Sequence, residues 1–215
     1  MKCIWDDNNI RYFFEVDNNN TAFIYGICRS GNQASKKTLK IPAKVQHNGV
    51  EYPVTRVGGI AYDKMMTTDK RSRYYGKYQR HYDHMIHYDY CGKPNHSEER
   101  YNEKYNIEKV ILPNTIEKIE AAAFYGFKSL TKVELNEGVQ VIGESAFAYC
   151  SSLKTITIPS SVKQIESWCF NGGNPILLKI KNNAGSIVFG PNALDSKDRV
   201  EYVGTSTSLF SKLFK

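Results

Sequence analysis

The sequence lacks any apolar run that approaches the roughly 18 residues of a membrane-spanning helix, so it predicts no membrane span. It also lacks the apolar stretch of a signal peptide, because Asp6 and Asp7 interrupt the first residues, MKCIWDDNNIRYFF. Two expectations follow: either the protein stays inside the cell, or its leader has been removed. The residues alone do not separate the two.

Enzyme signatures are absent as well. No GxSxG, GxGxxG, phosphate-binding loop, HExxH or paired CxxC motif occurs in the chain. Only a site assembled from side chains distant in sequence would escape such a search. The sequence therefore predicts a protein that is not an enzyme and that needs no cofactor.

Cysteine is scarce, and the five cysteines show no CxxC spacing. An odd number leaves at least one free thiol unless another chain supplies a partner. Cys169 aligns with Ala123 and Ala146 in the repeat described below, so we expect it to be a small buried core residue. Cys3 and Cys28 would pair only in an oxidising compartment, and their spacing does not demand it.

Charge and composition set wide bounds. Hydrophobic residues make up 41% and charged residues 24% of the 215 residues, which is ordinary for a globular protein. The length allows one elongated domain with a sizeable core. The net charge of +7 is compatible with an acidic partner such as nucleic acid, an anionic polysaccharide or a membrane surface. It is equally compatible with a mildly basic surface that has no such partner.

What the chain does contain is a repeat. Residues 107–173 fall into three segments that match at an offset of 23 residues. The matched apolar columns are Val110, Val133 and Ile156; Leu112, Leu135 and Ile158; Ile116, Val139 and Val162; Ile119, Ile142 and Ile165; and Phe124, Phe147 and Phe170. A period of roughly 20 to 29 residues with this spacing is typical of leucine-rich repeats.

The spacing within each repeat predicts the fold class, an α/β repeat solenoid. In the LxxVxL phrase the last two apolar residues lie two apart, so a strand points both toward the core. The pairs Ala123-Phe124 and Ala146-Phe147 fit a tight helical turn on the returning half. We expect one parallel sheet of about five strands with short strands or helical turns opposite it, stacked because no repeat can bury its apolar face alone.

The repeat is expected to be completed into a single domain of residues 1–215. Residues 1–35 do not fit the period and predict an N-terminal cap. Within it, the aromatic and β-branched runs at 10–16 and 21–27 flank a polar turn at 17–20, which indicates a β-hairpin. The end of a solenoid would otherwise expose its core.

The remaining boundaries follow from where the period holds and where it fails. Residues 36–62 predict a first, enlarged repeat with a hairpin-like excursion. Residues 63–105 are an insertion, and residues 106–195 contain the regular and degenerate repeats. Residues 196–215 predict a C-terminal cap with a last short strand and an apolar helical stripe.

At this point the residues carry a family resemblance. The phrase VIGESAFAYCSSL at 141–153, together with the Ile158-Pro159 turn, resembles the BspA-like leucine-rich repeats. The resemblance covers residues 36–62 and 107–195. It implies a bacterial surface or secreted protein of an adhesion type, since some members bind host extracellular-matrix proteins. The long insertion departs from the family pattern.

The insertion is the first place to seek chemistry. It holds eight of the 15 tyrosines and four of the five histidines but few aliphatic residues, and a loop of this length is usually functional or disordered. Imidazole and thiolate are suitable zinc ligands. The candidate metal ligands, spaced 3, 3 and 4 residues apart, are His81, His84, His87 and Cys91. The alternative is a polar loop or helix, because steps of three rotate successive ligands around a helix.

Upstream, residues 64–82 carry six cations and one anion, a net charge of +5, among several tyrosines. Tyrosine and arginine are enriched at protein interfaces, and the same mixture suits single-stranded nucleic acid or acidic glycans. A solvated loop without a ligand is the third alternative. The candidate partner-binding residues are Arg71, Arg73, Tyr74, Tyr75, Tyr78 and Arg80.

Between the buried columns, the strand positions that face outward form two ladders. One ladder is Thr38, Lys109, Lys132, Thr155 and Leu177, and the other is Lys40, Ile111, Glu134, Thr157 and Lys179. The candidate partner contacts among them are Lys109, Ile111, Lys132, Glu134, Thr155 and Thr157. Repeat proteins use such surfaces for protein recognition, although a solvated sheet is equally consistent. The sequence thus predicts a non-catalytic protein-binding module, with zinc or polyanion binding in the insertion as alternatives.

Overall fold

The computed structural model describes residues 2–29, 36–58, 107–183 and 185–203. Within these ranges the chain forms fifteen strands and no helix. The strands are β1 (Lys2–Asp7), β2 (Ile10–Val16), β3 (Ala22–Arg29), β4 (Thr38–Lys40), β5 (Lys44–His47), β6 (Val50–Val57), β7 (Lys109–Ile111), β8 (Lys118–Ile119), β9 (Lys132–Glu134), β10 (Val141–Ile142), β11 (Thr155–Ile158), β12 (Gln164–Ile165), β13 (Leu177–Ile180), β14 (Val188–Phe189) and β15 (Arg199–Tyr202).

The strands that carry the LxxVxL phrase and its variants are parallel, and we call them the front strands. They are β4, β7, β9, β11, β13 and β15. Strands β4, β7 and β9 pair in one sheet, and β11, β13 and β15 pair in a second. In β4, β7, β9, β11 and β13 buried residues alternate with partly or fully exposed ones, as the two-residue spacing predicts. Strand β15, the last of the six, has no fully buried residue.

The prediction of one continuous front sheet of about five strands is wrong in its continuity. Among the described residues there are six front strands, and β9 and β11 are neighbours that do not pair. Leu135, directly after β9, is only partly buried, whereas Leu112 and Ile158 in the same column are fully buried. The less buried side chain of Leu135 thus lies at the break between the two sheets.

The returning halves of the repeats form a second layer, which we call the return sheet. Its short strands β8, β10, β12 and β14 are parallel and continue from β6. Helical turns, the other option for this layer, do not form at residues 121–126. Ala122 adopts a left-handed backbone with φ of 54°, and Ser145 and Trp168 do the same one and two repeats later. A left-handed residue interrupts a right-handed helix, so turns form there instead.

The N-terminal strands extend the return sheet rather than the front sheets. Strands β1, β2 and β3 are antiparallel neighbours, and β3 pairs in parallel with β6. The turn between β2 and β3 is held by Asp17, whose carboxylate accepts hydrogen bonds from the backbone of Asn19 and from the backbone and hydroxyl of Thr21. These bonds, that from the backbone of Thr21 above all, lower the pKa of Asp17. The inward side chain of Tyr12 joins the main core, where burial raises its pKa to about 12.

The predicted columns lie in the main core, together with residues of the N-terminal strands such as Tyr12 and Phe14. Every residue named in the five columns is buried, apart from the partly buried Leu135. The rings of Phe124 and Phe147 stack with centroids 5.3 Å apart, and those of Phe147 and Phe170 stack at 5.8 Å. Such pairs contribute about 0.5–1.5 kcal/mol each beyond the apolar area they bury. Stacking between successive repeats is thus what stabilises each of them.

The bend after β10 brings two backbones into contact at Gly143. Its N–H donates to the carbonyl of Ile119 at 2.8 Å. A β carbon at Gly143 would lie 2.6 Å from the backbone nitrogen of Ala121 and 2.7 Å from the carbonyl carbon of Glu120. Since backbone atoms cannot swing aside as a side chain can, glycine is required here for close approach.

Gly143→Ala should therefore destabilise the protein. We expect a loss of about 1–3 kcal/mol in the free energy of unfolding, typical of overpacking, as measured by urea denaturation. The matched control is Gly173→Ala, because a β carbon there meets nothing nearer than 3.6 Å and the backbone is not left-handed. Equal losses in the two variants would contradict this account of the bend.

Candidate functional site

The outward residues of the front strands form the surface that we call the front face. In the first front sheet, Thr38 pairs with Lys109 and Lys109 with Lys132, and on the parallel row Lys40 pairs with Ile111 and Ile111 with Glu134. In the second sheet the rows are Thr155, Leu177 and Arg199, and Thr157, Lys179 and Glu201. The residues of the two predicted ladders are thus in register within each sheet.

Sequence reasoning missed the last members of these rows. Arg199 and Glu201 continue the front face because β15 pairs with β13 in register, whereas the sequence assigned this strand to a separate cap. The signal was present: Arg199 lies 22 residues after Leu177, close to the repeat period, and the segment alternates. Its letters match the LxxVxL phrase too poorly for the period to be recognised there.

Charge on the front face is predominantly positive. Its twelve positions include five cations and two anions, a net charge of +3. Glu134 contacts two of the cations, since its Oε1 lies 2.8 Å from Nζ of Lys109 and 3.0 Å from Nζ of Lys132. Hydrogen bonds from Lys109 first and Lys132 second lower the pKa of Glu134. The group is at the surface, so the two contacts add little to stability.

Other cations of the front face are not neutralised locally. Within the part of the chain that the structure describes, Lys40, Lys179 and Arg199 make no ion pair. Their charges are therefore available to an anionic group from outside.

Aliphatic side chains occupy the centre of each half of the front face. Ile111 lies on β7, the middle strand of the first front sheet, and Leu177 lies on β13, the middle strand of the second. Both are partly exposed, whereas their neighbours Val110 and Leu178 are fully buried. Each half thus presents one aliphatic side chain surrounded by polar and charged ones.

The outward residues of the return sheet differ in type from those of the front face. Arg56, Lys118, Val141, Gln164 and Val188 follow one another in register. Here both cations contact the same carboxylate, that of Glu120, which is 3.3 Å from Arg56 and 2.9 Å from Lys118.

Toward the N-terminus, the outer surface of the return sheet carries a small aromatic cluster. Phe13, Phe23 and Tyr25 form a buried group separate from the main core. The guanidinium of Arg56 lies 5.0 Å from the ring centroid of Phe23. A cation over a ring face is stabilised by the negative charge of that face. These aromatic residues pack against one another.

The predicted sites of the insertion fall outside the described residues. These are the zinc ligands His81, His84, His87 and Cys91 and the partner contacts Arg71, Arg73, Tyr74, Tyr75, Tyr78 and Arg80. Both sites stay predictions. In the ranges that the structure does describe, no three His, Cys, Asp or Glu side chains converge to hold a metal ion.

Cysteine positions agree with a structural role. Cys169 is fully buried beside Ala146, as the alignment predicts, and burial raises the pKa of its thiol. The Sγ of Cys150 donates to the carbonyl of Phe124 at 3.1 Å. Cys3 is buried, and the side chain of Cys28 lies outside the description, so their pairing stays open.

A family model describing a BspA-type leucine-rich repeat region matches residues 96–208 with six copies. The chain belongs to the BspA-type leucine-rich repeat family. Proteins of this family are typically not enzymes, and leucine-rich repeat modules generally mediate protein interactions. The match to the family model does not include residues 36–62. Strands β4 and β6 of this segment nevertheless pair in register with β7 and β8 of the next repeat.

Solved structures agree on the fold. A leucine-rich repeat protein from Bacteroides ovatus matches with a TM-score of 0.57 at 18% identity, over 92% of this chain and 41% of that one. The pneumococcal vaccine antigen PcpA matches with a TM-score of 0.51 at 17% identity, over 95% of this chain and 51% of that one. At these identities the likeness establishes the leucine-rich repeat fold alone.

A leucine-rich cell surface protein from Faecalibacterium prausnitzii is also similar, with 21% identity and a TM-score of 0.49, over 92% of this chain. The chain spans about half of that protein, 50% of its length. Curated proteins yield no significant match. None of the described segments forms a helix long and apolar enough to cross a membrane.

The charge cluster at Glu134 generates a prediction. Lys109→Ala should raise the pKa of Glu134 toward its ordinary value by more than Lys132→Ala does, because the contact with Lys109 is shorter and is the larger cause. The measurement is an NMR titration of the carboxyl carbon. Because the folded pKa lies below the unfolded one, the small stabilisation is present above the unfolded pKa and is lost as pH falls through the folded pKa. No shift in either variant would refute the cluster.

Proposed function

We propose that this chain is a non-catalytic protein-binding module of an adhesion type, and that it binds its partner through the front face and the insertion of residues 63–105. One observation carries the proposal. The inward side chains form the core, while the outward ones on the same strands are in register and place aliphatic residues among charged ones. Such a surface combines apolar contact with polar specificity.

The dimensions of the front face support an extended contact. Neighbouring parallel strands lie about 4.8 Å apart, so six front strands span roughly 25 Å. Specific protein interfaces bury about 800 Å² on each partner, and a surface of this length supplies a large part of that area. The buried columns hold the strands in place, so little ordering of the backbone opposes binding.

The ends of the array belong to the same proposal. We infer that the repeats stack into a solenoid and that β1, β2 and β3 cap its N-terminal end. In support, β1 pairs with β2, β2 pairs with β3, and β3 pairs with β6 of the first repeat. The side chains of Tyr12 and Phe14 also enter the main core. A capped array would remain monomeric at that end and would leave the front face available.

The partner class follows from the comparisons by analogy. One similar structure is a cell surface protein and another is a vaccine antigen. The analogy supports a protein at the bacterial surface whose partner is a host or other extracellular protein. Analogy of fold does not itself carry function, so direct binding measurements must decide.

Ile111→Asp should abolish or strongly weaken binding. A panel of purified extracellular-matrix and plasma proteins would be tested by biolayer interferometry against the unaltered chain and the variant. The reason is that a carboxylate in the apolar centre of an interface is desolvated without a partner. The control is Val188→Asp, which puts the same charge on an exposed aliphatic residue of the return sheet. If Val188→Asp weakened binding as much as Ile111→Asp, or no panel protein bound the unaltered chain, the proposal would fail.

Deletion of residues 63–105 tests the insertion separately. We expect the fold to persist, because β6 pairs with β8 and β4 with β7 on the two sides of the deletion. We also expect weaker binding of the panel protein. Circular dichroism and thermal unfolding would establish folding, and the same interferometry would measure affinity. Unchanged affinity in a folded deletion variant would remove the insertion from the proposal.

A further inference from the structure

We infer that the partner segment recognised by the front face is an extended acidic peptide segment that alternates carboxylate and aliphatic side chains. This inference rests on the proposed function and names the chemistry of the partner. It starts from the middle strand of each front sheet. Strand β7 presents Lys109 and Ile111 outward, and β13 presents Leu177 and Lys179. Each middle strand therefore offers one ammonium group and one aliphatic side chain, two residues apart.

The two pairs are arranged in opposite order. The 23-residue offset of the repeats aligns Lys132 with Thr155 and Glu134 with Thr157 across the break between β9 and β11. With the pairings inside each sheet, this alignment places Lys109 and Leu177 on one row, and Ile111 and Lys179 on the other. A partner that crosses the strands must therefore present a carboxylate and then an aliphatic group on one row. On the other row it must present the aliphatic group first.

An extended peptide satisfies this pattern because its side chains point alternately to the two sides. Strands β7 and β13 are three strand positions apart, or about 15 Å at about 4.8 Å per strand. Four residues of extended chain span about 13 Å, which is within reach of flexible side chains. The sequence Glu-Leu-Ser-Ser-Leu-Glu places its first Glu and second Leu on one row, and its first Leu and second Glu on the other.

Charge favours a carboxylate-bearing partner. The front face carries +3, and within the described residues Lys179 makes no ion pair while Lys109 shares Glu134 with Lys132. Complementary charge would speed association and orient the segment. The two anions of the front face, Glu134 and Glu201, would in turn repel acidic groups placed at other positions, which fixes the register.

The same residues argue against nucleic acid as the occupant of the front face. None of its twelve positions is aromatic, so bases have no ring on which to stack. A continuous row of phosphates would meet Glu134 and Glu201 as well as the cations. Spaced carboxylates separated by aliphatic and hydroxyl groups avoid both conflicts.

The test uses a fluorescein-labelled Glu-Leu-Ser-Ser-Leu-Glu peptide titrated with the full chain and followed by fluorescence polarisation. We expect saturable binding that weakens with salt. The isomer Glu-Leu-Ser-Ser-Glu-Leu has the same composition but places its second pair on the wrong rows, so it should bind more weakly. Equal affinity of the two peptides, or no saturation with the first, would overturn the inference.

Matched protein variants locate the site. Lys179→Gln should lower the affinity for the peptide about tenfold, because it removes one charge-assisted hydrogen bond. Lys163→Gln removes the same charge from an exposed lysine beside β12 in the return sheet and should leave binding unchanged. Equal loss in both variants would indicate a diffuse charge effect and refute the site. If a single-stranded oligonucleotide of equal charge bound more tightly than the peptide, the inference of an acidic peptide segment would be wrong, and nucleic acid would be the ligand of the front face.

The two proposals fail separately. If the peptide does not bind while Ile111→Asp still abolishes binding of a panel protein, the front face is an interface for a partner of other chemistry. If the peptide binds at Lys179 but no panel protein binds, the recognition chemistry stands and the proposed class of partner is wrong.

Discussion

The stacking of inward apolar side chains between successive repeats is the constraint on which the structure depends. A front strand contributes only three or four residues and a return strand often two, so neither is stable alone. The stacked rings of Phe124, Phe147 and Phe170 show how each repeat covers the next. The contact at Gly143 follows from the same constraint, because close stacking brings the backbones of two repeats together.

This constraint divides the side chains of each strand into two classes. Inward residues are fixed by the core and must stay apolar, whereas outward residues are free to vary without loss of packing. The two outer surfaces consequently differ: in the return sheet Arg56 and Lys118 both form an ion pair with Glu120, while on the front face Lys179 makes no ion pair within the described residues. Recognition can thus differ between the two sides of one scaffold.

Periodicity explains how much of the fold was predictable. The columns and the register of the outward ladders follow from a fixed offset, so the sequence alone predicts that Val110, Val133 and Ile156 are core residues, and all three are buried. The break between β9 and β11 was not predictable, because Leu135 repeats the letter of Leu112 yet packs less deeply. The left-handed conformation at Ala122 was equally hidden, since alanine ordinarily favours a helix.

The candidate site was predictable to a lesser degree. Ile111 and Glu134 were placed on the front face by alternation alone, and the structure brings them side by side. Alternation cannot show that Glu134 contacts both Lys109 and Lys132, because that depends on side-chain reach across strands. Arg199 was missed because its strand, although it alternates, lacks the letters of the repeat. The roles of the insertion residues stay predictions, since no repeat constrains them.

The central claim is that the partner binds on the front face rather than on the return sheet. The most direct measurement is photo-crosslinking with a benzophenone amino acid placed at Thr157 in one protein and at Gln164 in another, in the presence of a protein that binds the unaltered chain. Both positions are exposed and lie in successive strands of the same repeat, Thr157 in β11 of the front face and Gln164 in β12 of the return sheet. The account predicts crosslinks from position 157 and none from position 164; the reverse result would contradict it.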